Sequence, residues 1–343
     1  MSQFFKLTAC RGALASILVS GAVMMLPFAS RADQGGLSFW LPGAFGSLAA
    51  TPVVPGWALS TIYLHLYASA SGEKQFVRGG SLVAGLKAPA DAIAEGLTYT
   101  FADKILGGQA AVTFVGGFGH VSVGIDETLT GPRGRSISGS VGDSRSTFAD
   151  VYYQGTLKWN DGVHNTMVYV TGNIPSGTYD PDRLANFSLG WVAVDGGLGY
   201  TYLDQKTGHE FSIVGGLTYN FINPYNEYQN GVDFHVDWGA SQFLSKNVQI
   251  GLAGYLFQQI TGDSGPGATL GEFKSRVFGI GPQIGFIFPV GPYNQGYLNL
   301  KAYKDFAAEN RPEGYTAWVT LVISPAPPSE SRPKASQRPH ITK

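Results

Sequence analysis

The stretch His209–Phe221 reads HEFSIVGGLTYNF. His209, Phe211, Ile213, Gly215, Leu217, Tyr219 and Phe221 fall on one face of an extended chain, and Glu210, Ser212, Val214, Gly216, Thr218 and Asn220 on the other. Successive side chains of a strand point to opposite sides. Thirteen residues with one apolar and one polar face are long for a soluble strand and fit a tilted membrane crossing, with one face in lipid and the other toward a polar lumen.

The pattern recurs. Ala149, Val151, Tyr153, Gly155, Leu157 and Trp159 oppose Phe148, Asp150, Tyr152, Gln154, Thr156 and Lys158. Val232, Phe234, Val236, Trp238 and Ala240 oppose Asp233, His235, Asp237, Gly239 and Ser241. The alternation predicts twelve strands, near 56–70, 96–103, 108–119, 148–159, 163–172, 189–203, 209–221, 231–243, 248–260, 273–288, 296–306 and 314–324. Between them, short connections such as Asn160-Asp161-Gly162 alternate with longer ones at 71–95, 120–147, 173–188, 222–230 and 261–272. Short periplasmic turns and longer extracellular loops are the habit of bacterial barrels, so both ends of the chain are expected on the periplasmic side. A soluble β-sandwich is the competing reading, but it does not predict this alternation of loop lengths.

Composition agrees. Gly accounts for 47 of 343 residues and only 14% are charged, against roughly 25% in soluble domains. Residues 1–32 carry Lys6 and Arg11, an apolar run from Gly12 to Phe28, and Ser30-Arg31-Ala32, the form of a secretory signal peptide cleaved after Ala32. Cys10 is the only cysteine and lies within that leader. A lipoprotein box at Leu7–Cys10 is rejected because the apolar run follows the cysteine. Beyond the leader no run of about 18 apolar residues remains, which excludes helical spans. The leader's three charges are all basic, so the rest is more acidic than the whole chain, whose formal net charge is −1. No nucleic-acid partner is expected.

The expected organisation is a signal peptide (1–32), an N-terminal hatch or plug segment (33–55), a barrel (56–324) and a Pro/Ser/basic tail (325–343). The fold class is all-β, a transmembrane antiparallel up-and-down barrel of about twelve strands. The segment GGLSFWLPGAFGSLAA, residues 35–50, has neither helical nor strand period. Irregular backbone at membrane depth is tolerated only when enclosed by protein or lining a cavity, which places it in the lumen. Phe39, Trp40, Leu41 and Phe45 are the candidate solute contacts. Asp150, Lys158, Asp195, Glu210, Asp233, His235 and Asp237 are expected to face the lumen, with Arg276, Lys301 and Asp305 as further inward candidates.

Other chemistry finds little support. Gly262-Asp263-Ser264-Gly265 matches the string around a serine-protease nucleophile, but the histidine and cysteine context is missing, and a loop turn is the plain reading. Asp233, His235 and Asp237 share a strand face, a loosely specific pattern for zinc; neither a metal nor a cofactor is expected. An outer-membrane esterase or lipase requires a Ser–His pair oriented by a third group, which a sequence cannot establish, so no catalytic residue is assigned.

GLSFWLPGAFGSLAATPVVPGW (36–57), GNIPSGTYDPDRLANFSLGW (172–191) and NPYNEYQNGVDFHVDW (223–238) resemble the SphA-like family, also described as the MetA pathway of phenol degradation. That family is related to FadL- and TodX-type transporters. The resemblance implies an outer-membrane channel of a Gram-negative bacterium for passive uptake of hydrophobic, aromatic compounds of phenol type. It also implies lipid and the outer-membrane insertion machinery as partners. The fatty-acid relatives have fourteen strands and an N-terminal hatch, so two further strands hidden in 71–95 and 120–147 are one expectation and a narrower barrel the other. A structural or adhesion-type barrel acting through its loops is the alternative.

Overall fold

The computed structural model describes residues 38–75, 81–130, 135–268 and 272–327. The leader and the tail beyond residue 327 lie outside the described residues. What is described is all-β: β1 (Gly56–Gln75), β2 (Ser81–Ile105), β3 (Gly108–Thr130), β4 (Ser136–Phe148), β5 (Val151–Asp161), β6 (His164–Ile174), β7 (Ala193–Asp204), β8 (His209–Asn220), β9 (Asp233–Ser245), β10 (Val248–Gln259), β11 (Arg276–Val290), β12 (Asn294–Glu309) and β13 (Glu313–Pro325).

Apart from β4 and β5, each strand pairs antiparallel with its sequence neighbour, and β1 closes on β13 with Leu59 opposite Ile323 and Ser69 opposite Glu313. β4 and β5 occupy a single position. β4 pairs with the outer half of β3, from Phe118 to Thr130, and β5 with its inner half, from Gln109 to Val115. The barrel therefore has twelve staves, and closure removes the exposed edges that an open sheet would present.

The stretches 71–95 and 120–147, read above mainly as loops, are largely strand. β1 pairs with β2 out to Gln75 and Ser81, and β3 with β4 out to Thr130 and Ser136. They lengthen existing staves and add none. The outer parts lack the apolar outward face of a lipid-facing strand, so alternation does not reveal them. Two aromatic girdles fix the membrane level. Trp57, Tyr99 and Phe101 cluster at the short-turn end. Phe118 meets Phe148, and Tyr219 meets Phe221, at the other. At the short-turn end, β2 and β3 join through Leu106-Gly107, both at positive φ, the backbone form of a two-residue hairpin.

The side-chain alternation follows the sequence pattern. Phe211, Ile213, Leu217 and Tyr219 are exposed on the outer wall, while Glu210, Ser212, Val214, Thr218 and Asn220 are buried inside. Arg276 departs from its inward assignment. The buried Val277 takes the inner position, and Arg276 pairs with Glu309 on the outside at 2.8 Å. Alternation along β11 is unbroken here, with Arg276, Phe278 and the exposed Ile280 on the outer face and Val277 and Gly279 on the inner; the register shift puts its extra residue on β12, between Phe306 and Glu309.

Candidate functional site

The inner wall holds the N-terminal segment by its backbone, because a stretch without secondary structure must find partners for its own N–H and C=O groups. Gly43 N and Phe45 N donate to the two oxygens of Asp237, both at 3.0 Å. From the opposite side the Lys301 ammonium donates to Gly43 O at 2.7 Å and Phe45 O at 3.3 Å. One turn is thus clamped between a carboxylate on β9 and an ammonium on β12. Farther along, Leu48 N donates to Glu210 at 2.9 Å, Ala50 N to Thr201 at 3.0 Å, and Lys158 reaches Thr51 O at 3.3 Å.

Gly43 has φ +84°, and a Cβ there would lie 2.6 Å from the Tyr303 ring. Only glycine meets both conditions.

Aromatic contacts run alongside. Trp40 stacks on His235 with centroids 3.7 Å apart and an interplanar angle of 14°. His235 is fully buried and bonded to Asp195 at 2.7 Å, and Asp195 also accepts from Thr218. Phe45 meets Tyr169 at 5.3 Å, and Phe39 stacks on Tyr152 at 5.5 Å. Phe39 also joins Leu189, Trp191 and Ala193, whose connection 175–192 folds toward the lumen. Asp150 ties that connection down, accepting from Gly177 N, Ser188 Oγ and Leu189 N.

The seven polar residues expected in the lumen are thereby each accounted for. Asp237, Glu210 and Lys158 contact the N-terminal segment, Asp195 and His235 seat Trp40, Asp150 holds a loop, and Asp233 accepts from Asn220 at 2.9 Å. Asp233, His235 and Asp237 face one way but turn to different partners. Among the described residues no group of three or more His, Cys, Asp or Glu could hold a metal ion. Asp263 of the Gly-Asp-Ser-Gly string accepts from Tyr228, Gly231 N and Gln259, and Ser264 pairs with Gln229. Burial of Asp263 raises its carboxyl above the usual range. Its work is to join two outer loops.

Of the four candidate solute contacts, Leu41 differs from the rest. With Ser38 and Pro42 it floors a cavity of about 110 Å3 on the outer side of the clamped turn. The cavity's wall is the inner face of β1, β2 and β3, with Leu64, Leu66, Leu86, Val121 and Val123, and Trp318 stands on β13. Asp305, Tyr255 and Arg311 supply a polar end, where Tyr255 donates to Asp305. Sequence reading missed this wall because it treated 71–95 and 120–147 as loops. The signal lay in Leu86, Ala88, Ala90 and Val121, Val123, which alternate with Lys87, Pro89, Asp91 and Ser122, polar or helix-breaking residues in an unfamiliar outward position.

Fold and site together define a closed outer-membrane channel-type barrel whose lumen carries its own N-terminal segment. The chain belongs to the family described as "Putative MetA-pathway of phenol degradation", whose model matches residues 71–321. No curated protein matches the chain. Among solved structures it is similar to an outer membrane channel from Pseudomonas putida F1, with a TM-score of 0.62 and 14% identity over 83% of this chain and 100% of that one. That likeness concerns the fold. A FadL homologue from Pseudomonas aeruginosa gives a TM-score of 0.36 and 6% identity over 78% of this chain and 88% of that one. The translocator domain of autotransporter NalP from Neisseria meningitidis gives 0.37 and 10% over 80% and 90%.

Proposed function

We propose that this protein is a passive outer-membrane channel for small hydrophobic compounds carrying one aromatic ring, and that residues 33–55 are its hatch. The observation that carries the reading is the apolar cavity between β1–β3 and Leu41-Pro42. A channel for polar solutes has no use for a desolvating wall at the top of its lumen, whereas an apolar solute must leave water before it can pass. Apolar cavities of about 150 Å3 take up benzene, so a space of about 110 Å3 suits a single ring better than a long acyl chain. The family's description, with phenol degradation in it, supports the same class.

The roles divide within the hatch. Leu41 meets the solute, while Phe39, Trp40 and Phe45 spend their surface on Tyr152, His235 and Tyr169 and hold the segment in place. The protein acts without a catalytic residue in the lumen. Uptake of labelled toluene and phenol by proteoliposomes tests this. Leu66→Asp should reduce uptake about tenfold or more while leaving ion conductance unchanged, and deletion of residues 36–50 should raise conductance. Equal uptake by the parent and Leu66→Asp proteins would overturn the reading.

A further inference from the structure

The outer wall of β3 carries a cluster the channel does not use. His120 and Ser122 alternate on β3 and point outward, beside Ser146 of β4, which lies directly opposite His120. His120 Nε2 is 3.1 Å from Ser122 Oγ, and His120 Nδ1 is 2.8 Å from Ser146 Oγ. With the imidazole proton on Nδ1 donated to Ser146, Nε2 accepts from the Ser122 hydroxyl. This is the arrangement of a nucleophile and a base whose orientation is fixed by a third group. Asp91 lies opposite His120 on the other side, in register on β2, where it accepts from Tyr63 and His65.

Its level and surroundings fit an ester in a membrane. The Phe118–Phe148 girdle, both rings exposed, lies one outward-facing pair below His120 and two below Ser122, which places the site beyond the girdle, at the level of lipid headgroups. Immediately above Ser122, Gly124 faces Gly142 across the strands, and a Cβ built on Gly124 would meet nothing within 4 Å. Bare backbone beside a nucleophile lets a carbonyl approach closely. Lys87 lies in register with Gly124 on β2, exposed and 3.5 Å from Asp126, within reach of an anionic headgroup.

We propose that His120 and Ser122 form an acyl-ester hydrolase site on the outside of the barrel, acting on membrane lipid esters and independent of the channel. Ser122 Oγ attacks the ester carbonyl as His120 Nε2 takes its proton. The C–O bond to the alcohol breaks, and His120 returns the proton to the departing oxygen. Water then attacks the acyl-serine, giving its proton to His120. The carboxylic acid leaves as that proton returns to Ser122.

The full chain in detergent micelles, treated with a biotinylated fluorophosphonate and assayed with p-nitrophenyl laurate, tests this. Label is expected on Ser122. General-base catalysis contributes about 100-fold or more, so Ser122→Ala and His120→Gln should each lower kcat by at least that factor. Ser144→Ala, which removes the neighbouring hydroxyl, should leave turnover intact. Ser146→Ala should lower kcat with KM unchanged, and Ser146→Thr should restore it. Uptake and conductance stay at parental values in all of these variants, so failure here leaves the channel reading standing. A folded parent that takes no label at Ser122, or a Ser122→Ala variant that hydrolyses as fast as the parent, overturns the proposal.

Discussion

Replacing Asp237 by Asn tests the clamp on the hatch most directly. The carboxylate accepts from Gly43 N and Phe45 N, both at 3.0 Å. An amide of the same shape keeps one acceptor and turns an NH2 toward the second donor. One charge-assisted bond, worth about 1.5–3 kcal/mol, is lost, and the other falls to the roughly 1 kcal/mol of a neutral pair. Lys301, bound to the carbonyls of the same turn, also loses the negative charge across from it. The held state should therefore weaken by about 3 kcal/mol relative to the released one, in which lumen water solvates the freed groups. At 1.4 kcal/mol per tenfold, release becomes about 100-fold more frequent. Chymotrypsin acting on the folded barrel in detergent reads this out, since cleavage at Phe39, Trp40 or Phe45 requires release, and its rate follows the open population when reclosure is fast. Asp237→Asn should be cut about 100-fold faster and show larger conductance steps. Because Asp237 and Lys301 act on one turn, Asp237→Asn with Lys301→Met should have less effect than the two single changes summed. Cleavage and conductance equal to the parent's would refute the clamp.

Trp40→Ala removes the ring stacked on His235 and should weaken the seat by about 3 kcal/mol, within the range for deleting a buried aromatic, with faster proteolysis as the readout. Gly43→Ala should release the hatch to a similar degree, because the added Cβ meets the Tyr303 ring at 2.6 Å; pairing it with Tyr303→Leu should recover part of the loss. Asp143 lies beyond the outer girdle, on β4, and its carboxyl is held well below the usual range, chiefly by its bond to Arg183 and also by Ala185 N. A depressed folded pKa gives stability that is present above the unfolded value and lost as pH falls below about 4. Hydrogen exchange in 175–192 should therefore increase on acidification below pH 4, and Asp143→Asn should show that faster exchange already at neutral pH.

Alternation in His209–Phe221 and Asp233–Ser241 made the barrel legible, because lipid on one side and a lumen on the other impose opposite demands on adjacent residues. The same alternation placed Glu210 and Asp237 inside, where both meet the N-terminal segment. Legibility failed where the contrast inverts. Beyond the outer girdle the outward face no longer needs apolar residues, so in the outer parts of β1–β3 the apolar side chains point inward and the polar ones outward, and the stretches read as loop. The apolar wall of Leu66, Leu86 and Val121 was lost with them. Arg276 shares the outer face of β11 with Phe278 and Ile280, so strict alternation along that strand already places it outside.

Alternation, strand lengths sufficient to cross a membrane, and an apolar, irregular segment ahead of them can all be read from the chain. Those properties are local, and period and composition reveal them. Tertiary structure alone decided the pairing of distant groups. Asp237 and Lys301 lie 64 residues apart and meet on one turn near residue 44, Trp40 finds His235 as its stacking partner, and His120 comes to lie between Asp91 and Ser146. Register and barrel closure set these contacts, and neither is written in any single stretch of the chain.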